Sequence, residues 1–170
     1  GVGKTTLLKI IAGISSPTLG RVSTKGRIIS LIDLEAGFHP DLTGQENIFL
    51  NGLIIGMSKD EIDRKFKKIV SFAGIGDFIT APLYTYSSGM KLRLGFSVAI
   101  HANPEILLLD EAMNMGDEEF QQKTRRIFDK MLKKQITIVM VSHIYKYLND
   151  MCTKIYFMSN SEKIDPKYII

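Results

Sequence analysis

Residues 105–112 read EILLLDEA, a continuous apolar run that ends in two acidic residues. An apolar run without polar alternation is typical of a strand that is covered on both faces in a parallel sheet. QITIVMVSH, at 135–143, is a second run of the same kind, and helical patterns separate the two. This alternation of strands and helices predicts an α/β fold with a mostly parallel sheet.

The segments around these strands complete the predicted order of elements. A short buried helix is predicted over 4–12, and Arg21-Val22 and GRIISLIDL (26–34) are strand candidates. The pattern at 43–103 is mostly helical, with a capping-box pair at Ser58 and Glu61, and predicts a helical subdomain inserted in a single domain over 1–170. The other predicted elements are helices over 88–102, 118–134 and 145–152 and a last strand in KIYFMS (154–159).

Composition and charge argue against several classes of protein. The 22 Lys and Arg residues are scattered among 18 Asp and Glu residues, so the net charge of +4 predicts no nucleic-acid-binding patch. No apolar run reaches the length of a membrane-spanning helix, which is about 18 residues. If the protein acts at a membrane, we therefore expect it to do so while bound to another protein. The one cysteine, Cys152, permits no internal disulfide and predicts a reducing compartment.

Residues 1–6, GVGKTT, match the second half of the pattern G-x-x-x-x-G-K-[ST]. Glycines in this pattern let backbone N–H groups approach phosphate oxygens, and the following helix directs its positive end at the same anion. Lys4 would reach the β and γ phosphates, and the Thr5 hydroxyl would bind Mg²⁺. Because the first glycine of the pattern would precede residue 1, we expect the chain to be a fragment. The predicted phosphate-binding residues are Gly1, Val2, Gly3, Lys4, Thr5 and Thr6.

Polar side chains follow both buried strands where each strand ends. Asp110 would hold Mg²⁺, and Glu111 would orient or deprotonate an attacking water. His143 would donate a hydrogen bond to the γ phosphate or the water, with a structural role as the alternative. A strand-end helix cap is the alternative for the two acidic residues. His39 and His101 are not accompanied by other predicted site residues, so structural roles are predicted for them.

Residues 86–90, YSSGM, form the segment that is called the signature segment below. Ser-Gly pairs are ordinary turn signals, so these residues either contact a nucleotide or only turn the chain. The Ser87 hydroxyl, the Gly89 N–H and the start of a helix near Ser88 would together form an anion-binding end.

The order of these motifs resembles the nucleotide-binding domain of ABC transporters, over nearly the whole chain. DLEAGFHPDLTGQENIFLNG (33–52), TYSSGM (85–90) and DEAMNMGDEEFQQK (110–123) are similar to the ATPases that export O-antigen, capsule and teichoic acid. The resemblance implies a P-loop NTPase fold and an ATPase that uses ATP and Mg²⁺ to export a lipid-linked polysaccharide. It also implies a peripheral position at the cytoplasmic face of a bacterial-type plasma membrane.

The resemblance further implies partners. Two copies would close head to tail on two ATP molecules, so that Ser87, Ser88 and Gly89 of one copy act on the nucleotide of the other. Asp117 matches the aspartate that couples the two sites. Arg93 matches the basic residue after the signature, or is a surface charge paired with a neighbour. A membrane permease would dock around 37–85, and the complex would handle the glycan.

The sequence departs from the common family pattern at several positions. Asp33, Leu34 and Glu35 lie where most members have a glutamine, so either the acidic residues substitute for it or its contact with the metal and water is missing. Tyr86, Ser88 and Met90 replace the Leu, Gly and Gln of the common signature. Ala112 stands where proline is usual. We do not infer an inactive enzyme, because polysaccharide exporters share these features.

Two other functions remain open from the sequence. One is a soluble ABC-type protein that acts on nucleic acid or ribosomes and in which ATP only clamps two cassettes together, although such proteins usually carry paired cassettes and a charged linker. The other is a nonhydrolysing regulatory or structural remnant, which has the truncated phosphate-binding loop as its only support.

Overall fold

The computed structural model describes residues 2–32, 37–110, 117–142, 144, 148–149 and 152–158. Three strands in these ranges form one parallel sheet in the order β1-β2-β3, where β1 is Ile28–Ser30, β2 is Ile106–Asp110 and β3 is Thr137–Val141. Leu107, Leu108 and Leu109 of the central strand are all buried, as the continuous apolar run predicted. The predicted α/β fold with a parallel sheet is therefore confirmed.

The first helix, α1, spans Lys4–Ile11 and packs against β2. It begins directly after Gly3, which has a φ of 87°. A residue with a side chain is strained in this left-handed conformation, whereas glycine adopts it readily. The glycine thus lets the chain turn sharply into the helix.

Three helices follow β1 and pack on one another: α2 (Gly44–Ile54), α3 (Lys59–Ala73) and α4 (Ser88–His101). Two short 3₁₀ turns, Gly76–Thr80 and Leu83–Thr85, connect α3 to α4. All three helices were predicted. The assignment of 43–103 to a subdomain of its own stays a prediction.

The capping box predicted at the start of α3 forms only in part. The Ser58 hydroxyl accepts a hydrogen bond from the Glu61 N–H, as predicted, but the Glu61 carboxylate forms ion pairs with Arg27 and Lys65. A complete capping box forms one helix earlier, where Thr43 and Glu46 each bond the other's backbone N–H. The predicted Ser58 box is therefore only half formed, because stronger charged partners engage its carboxylate.

The last described helix, α5, spans Glu118–Lys133 and closes the core with aromatic side chains. Phe96 of α4 contacts Phe120 and Phe128 of α5, with ring centroids 5.6 and 6.0 Å apart. Phe72 of α3 contacts Phe96 and Phe120. These rings join α3, α4 and α5 into one apolar cluster.

Two predicted strands are wrong. Arg21 and Val22 have no regular secondary structure, and neither do residues 154–158 of the predicted last strand. A strand needs a partner to hydrogen-bond, and the described sheet provides these segments with none. Only residues 148 and 149 of the helix predicted at 145–152 are both described and helical.

Candidate functional site

The side chains of Thr5 and Asp110 meet at the carboxyl edge of the sheet. Asp110 is the last residue of β2, and Thr5 lies in the first turn of α1, which packs on that strand. The Thr5 hydroxyl donates a hydrogen bond to Asp110 Oδ2 over 2.7 Å. The fold thus brings together two predicted metal ligands that are 105 positions apart in the sequence.

The N-terminus of α1 beside this pair has no internal cap. Among the described residues, no side chain accepts a hydrogen bond from its first N–H groups, and its first turn contains no acidic residue. A Cβ atom at Gly3 would meet no described atom within 4 Å, so the surroundings of this glycine are not crowded. Open N–H groups at a helix start attract anions, so this end fits a phosphate group.

The oxygen pair at the same edge fits a hard divalent cation. Mg²⁺ is held in proteins by one or two oxygen ligands together with water and substrate phosphates. Thr5 Oγ1 and Asp110 Oδ2 supply two such oxygens. No group of three or more His, Cys, Asp or Glu side chains forms a metal site in the part of the chain that the structure describes.

The signature segment forms the start of α4. Ser87 is the N-cap, and its hydroxyl accepts a hydrogen bond from the Met90 N–H over 3.2 Å. A hydroxyl retains its own hydrogen after accepting a bond, so Ser87 can still donate to an external oxygen. Ser87 and Ser88 are both exposed and Gly89 is half-buried, so the segment both caps a helix and presents donors to solvent.

Tyr86 of the signature segment is the residue whose role sequence analysis missed. It is buried, and its hydroxyl donates a hydrogen bond to the carbonyl oxygen of Phe78. Burial raises the pKa of this phenol, which therefore stays protonated as a donor. Nothing local in YSSGM signals the contact, because its partner belongs to a different turn.

Arg93 and Asp117 connect α4 to α5. Arg93 Nη1 lies 3.2 Å from Asp117 Oδ2, while Oδ1 of the same carboxylate accepts the Phe120 N–H as the N-cap of α5. Of the two interpretations of Arg93, the surface charge paired with a neighbour is what the structure contains. The neighbour is itself a predicted site residue.

The two described histidines outside the predicted site have local roles. His101 Nδ1 is 2.8 Å from the Ser97 carbonyl oxygen, and its ring contacts Phe72 edge-on. Burial lowers the pKa of His101. His39 is exposed, and its backbone N–H donates to the buried Asn47 side chain over 2.8 Å. These contacts agree with the structural roles predicted for both.

Several predicted positions lie outside the described residues. They are the phosphate-loop glycine Gly1, the predicted catalytic residues Glu111 and His143, the departures Asp33, Leu34 and Glu35, and Ala112.

The family model described as "ABC transporter" matches residues 1–114. The chain belongs to this family. It therefore contains an ATP-binding cassette. None of the helices in the described residues is both long enough and apolar enough to cross a membrane.

Curated relatives of this ABC protein include ATP-binding proteins of O-antigen and teichoic acid export. It is 41% identical to the ABC transporter protein AbcA of Aeromonas salmonicida over 173 residues. This alignment covers 100% of this chain and 56% of the relative. It is 48% identical to the O-antigen export system ATP-binding protein RfbB of Myxococcus xanthus over 84% of this chain and 33% of the relative. The teichoic acids export ATP-binding protein TagH of Levilactobacillus brevis is 46% identical, over 91% of this chain and 43% of the relative. The chain thus spans about half or less of the length of these relatives.

Solved ABC cassettes share the fold. The dimeric cassette MJ0796 superposes with a TM-score of 0.73 at 22% identity, over 92% of this chain and 76% of that chain. A second dimeric structure of MJ0796, bound to ADP and Pi, gives a TM-score of 0.71 at 23% identity, over 85% of this chain and 72% of that chain. At these identities, the likeness shows the fold of the ABC cassette.

Proposed function

We propose that the chain is the ATP-hydrolysing part of an ABC transporter that exports a lipid-linked polysaccharide of the O-antigen, capsule or teichoic acid type. The observation that carries the ATPase proposal is the meeting of Thr5 and Asp110 beside the open N-terminus of α1. The names of the relatives support the cargo, since O-antigen and teichoic acid exporters align with most of this chain.

In the proposed site, the start of α1 binds the phosphates of ATP. Backbone N–H groups from Gly1 to Thr6, with Val2 and Gly3 between them, face the phosphate oxygens, and Lys4 supplies positive charge at the β and γ phosphates. Gly3 is suited to this role because glycine adopts its left-handed conformation readily and adds no Cβ beside the helix start.

Thr5 and Asp110 are the proposed Mg²⁺ ligands. When held by these two side chains, Mg²⁺ would supply positive charge that stabilises the charge developing during phosphoryl transfer. The hydrogen bond between the two side chains keeps both oxygens at the same edge of the sheet. Glu111, next along the chain, is the proposed base that orients or deprotonates water, and His143 is the proposed hydrogen-bond donor to the γ phosphate.

The signature segment is proposed to act on a second copy of the chain. Its Ser87 hydroxyl, the Ser88 backbone and the Gly89 N–H present donors at the exposed start of α4, and an anion there requires another nucleotide site. A head-to-tail dimer would supply it, as the dimeric cassettes of the same fold suggest. Asp117 would couple the two sites through its contact with Arg93.

The membrane partner is proposed to dock on the surface that residues 37–85 provide. This region contains apolar side chains exposed to solvent, notably Leu53 and Ile54 at the end of α2, together with Phe78. Exposed apolar groups of this kind can contribute to protein–protein contacts. The partner would be an integral membrane permease, with the ATPase peripheral on the cytoplasmic face and the glycan handled by the complex.

A mixing experiment with the full-length protein tests hydrolysis and the dimer together. Lys4→Ala disables the phosphate-binding loop, and Ser87→Arg blocks the signature segment, so each variant alone should hydrolyse MgATP at background rate. Mixed chains should regain activity if sites form between copies, because one site of each mixed dimer then has both parts intact. A mixture that stays inactive would refute the head-to-tail site, whereas an inactive wild type would refute ATP hydrolysis itself.

The proposed general base has its own variant. Glu111→Gln should lower turnover by about 100-fold or more while ATP binding survives, because the amide cannot accept the proton. Unchanged turnover would remove Glu111 from the base role.

A further inference from the structure

We propose that Tyr86 is a positioning residue that ties the signature segment to the exposed surface around Phe78. Through it, a partner bound at Phe78 can alter how Ser87 is presented to nucleotide. This inference rests on the proposed function and names the connection between its docking surface and its signature segment.

The first observation is the pair of contacts that Tyr86 makes with Phe78. The Tyr86 hydroxyl donates a hydrogen bond to the Phe78 carbonyl oxygen, and the two rings meet edge to face at 87° with centroids 6.2 Å apart. Phe78 is 50% exposed, whereas Tyr86 is buried. Tyr86 thus contacts the exposed residue Phe78 through its side chain and directly precedes Ser87 in the sequence.

The second observation is the backbone network around this hydrogen bond. The Phe78 carbonyl oxygen also accepts the Ala81 N–H over 2.9 Å, and the Ala81 carbonyl oxygen accepts the Gly44 N–H over 3.2 Å. Tyr86 therefore joins a network that includes the 3₁₀ turn Gly76–Thr80 and the start of α2. A displacement of this turn would therefore displace Tyr86, which directly precedes the N-cap of α4.

The third observation is the space reserved for the Tyr86 hydroxyl. A Cβ atom at Gly44 would overlap this oxygen and would lie 3.2 Å from the carbonyl oxygen of Ile79. Gly44 is the first residue of α2, where its lack of a side chain lets the phenol reach the turn. Leucine, the usual residue of the common signature at position 86, has no hydroxyl to use this space.

Tyr86 is a better candidate for this role than the neighbouring Tyr84. Tyr84 is also a tyrosine in the same connection, but its side chain is 64% exposed. Its described hydrogen bond is from its backbone N–H to the Pro40 carbonyl oxygen. Tyr84→Phe is consequently a matched control, because it removes a hydroxyl from the same connection without removing the buried contact.

The test uses the full-length protein assembled with its membrane subunit, and it measures kcat and KM for MgATP hydrolysis together with Tm. Tyr86→Phe should lower kcat about fivefold, the effect of losing one neutral hydrogen bond that matters in the active arrangement. KM for ATP should change less than twofold, since α1 binds the phosphates without contact to Tyr86. Tyr84→Phe should match the wild type in both constants.

A second variant tests the same contact without touching the tyrosine. Gly44→Ala should lower kcat because its Cβ displaces the Tyr86 hydroxyl, and the double variant Gly44→Ala/Tyr86→Phe should return to the kcat of Tyr86→Phe alone. A merely structural role for Tyr86 would not make the kcat of the double variant equal to that of Tyr86→Phe.

The outcomes separate this inference from the proposed function. An inactive wild-type complex would overturn the proposed function and this inference with it. An active wild type in which Tyr86→Phe lowers only Tm, with kcat unchanged, would overturn the positioning role alone. Additive losses in the Gly44→Ala/Tyr86→Phe variant would also overturn it, because the two changes would then act separately.

Discussion

Replacing Glu61 by glutamine is expected to loosen the attachment of α3 to the sheet. The Glu61 carboxylate lies 3.5 Å from Arg27 Nη1, just before β1, and 2.9 Å from Lys65 Nζ on α3. The Asn103 side-chain amide, just beyond α4, donates to the same carboxylate over 3.3 Å. One side chain thus joins three segments, and the Gln variant keeps its shape while it removes its charge.

The magnitude follows from the exposure of the cluster. An exposed ion pair contributes about 0.2–1 kcal/mol, and a hydrogen bond to a charged group contributes about 1.5–3 kcal/mol. The Glu61 side chain is 17% exposed, so water still screens its partners. We expect a loss of about 1.5 kcal/mol in the free energy of unfolding, or about 3–6 °C in Tm for a chain of this size.

The pH dependence of this loss has a defined sign. The hydrogen bond from Lys65 is the main cause that holds the pKa of Glu61 below its usual 4.5. A carboxyl group whose pKa is lower in the fold stabilises the fold above its unfolded pKa, and this contribution disappears as the pH falls through the folded pKa. The difference between wild type and Glu61→Gln should therefore be constant from pH 7 to about pH 5 and shrink below pH 4.5.

Urea unfolding at pH 7 and at pH 4 measures this difference. The matched control is Glu119→Gln, because Glu119 also pairs with a lysine one turn away, Lys123, but its side chain is 78% exposed. This control should lose less than about 0.5 kcal/mol. Equal losses in both variants, or a Glu61→Gln loss that does not shrink at acidic pH, would refute the reasoning.

Three further predictions concern packing, capping and a buried histidine. Phe128→Ala should cost about 3–5 kcal/mol in urea unfolding, since Phe128 is fully buried, and a loss below 1 kcal/mol would contradict the aromatic cluster. Thr43→Ala should cost about 1 kcal/mol in the same assay through loss of the capping box, and no loss would show that Glu46 caps without it. Because burial lowers the pKa of His101, wild-type stability should fall as the pH drops below about 6.5. His101→Gln should remove this part of the pH dependence in Tm measurements, and an unchanged profile would contradict it.

Much of the fold could be predicted because its decisive patterns are local. The three leucines of β2 fill one continuous run, and a parallel sheet buries both faces of such a strand. Parallel strands also align their carboxyl ends, so Asp110 was expected at the edge where α1 begins. Once α1 packs on β2, Thr5 and Asp110 lie close enough to form their hydrogen bond.

The wrong predictions concern contacts that depend on distant residues. Residues 155–158 are apolar and rich in β-formers, yet a strand requires a partner with free backbone groups, which no local pattern specifies. Glu61 matched a capping box, but Arg27 is 34 positions away and engages its carboxylate in the fold. Tyr86 looked like a replacement for leucine, because the space at Gly44 and the Phe78 carbonyl oxygen are visible only after folding.

The Arg93–Asp117 ion pair joins the helix that begins at the signature segment to the helix that follows the Asp110 strand. Helix α4 leads directly into β2 at one end of that strand, and the ion pair joins α4 to the start of α5, seven residues past Asp110. The Asp117 side chain is 60% exposed, so breaking the pair costs at most about 1 kcal/mol. The ion pair thus joins α4, which begins at the signature segment, to the start of α5 through a contact that a small free-energy change can break.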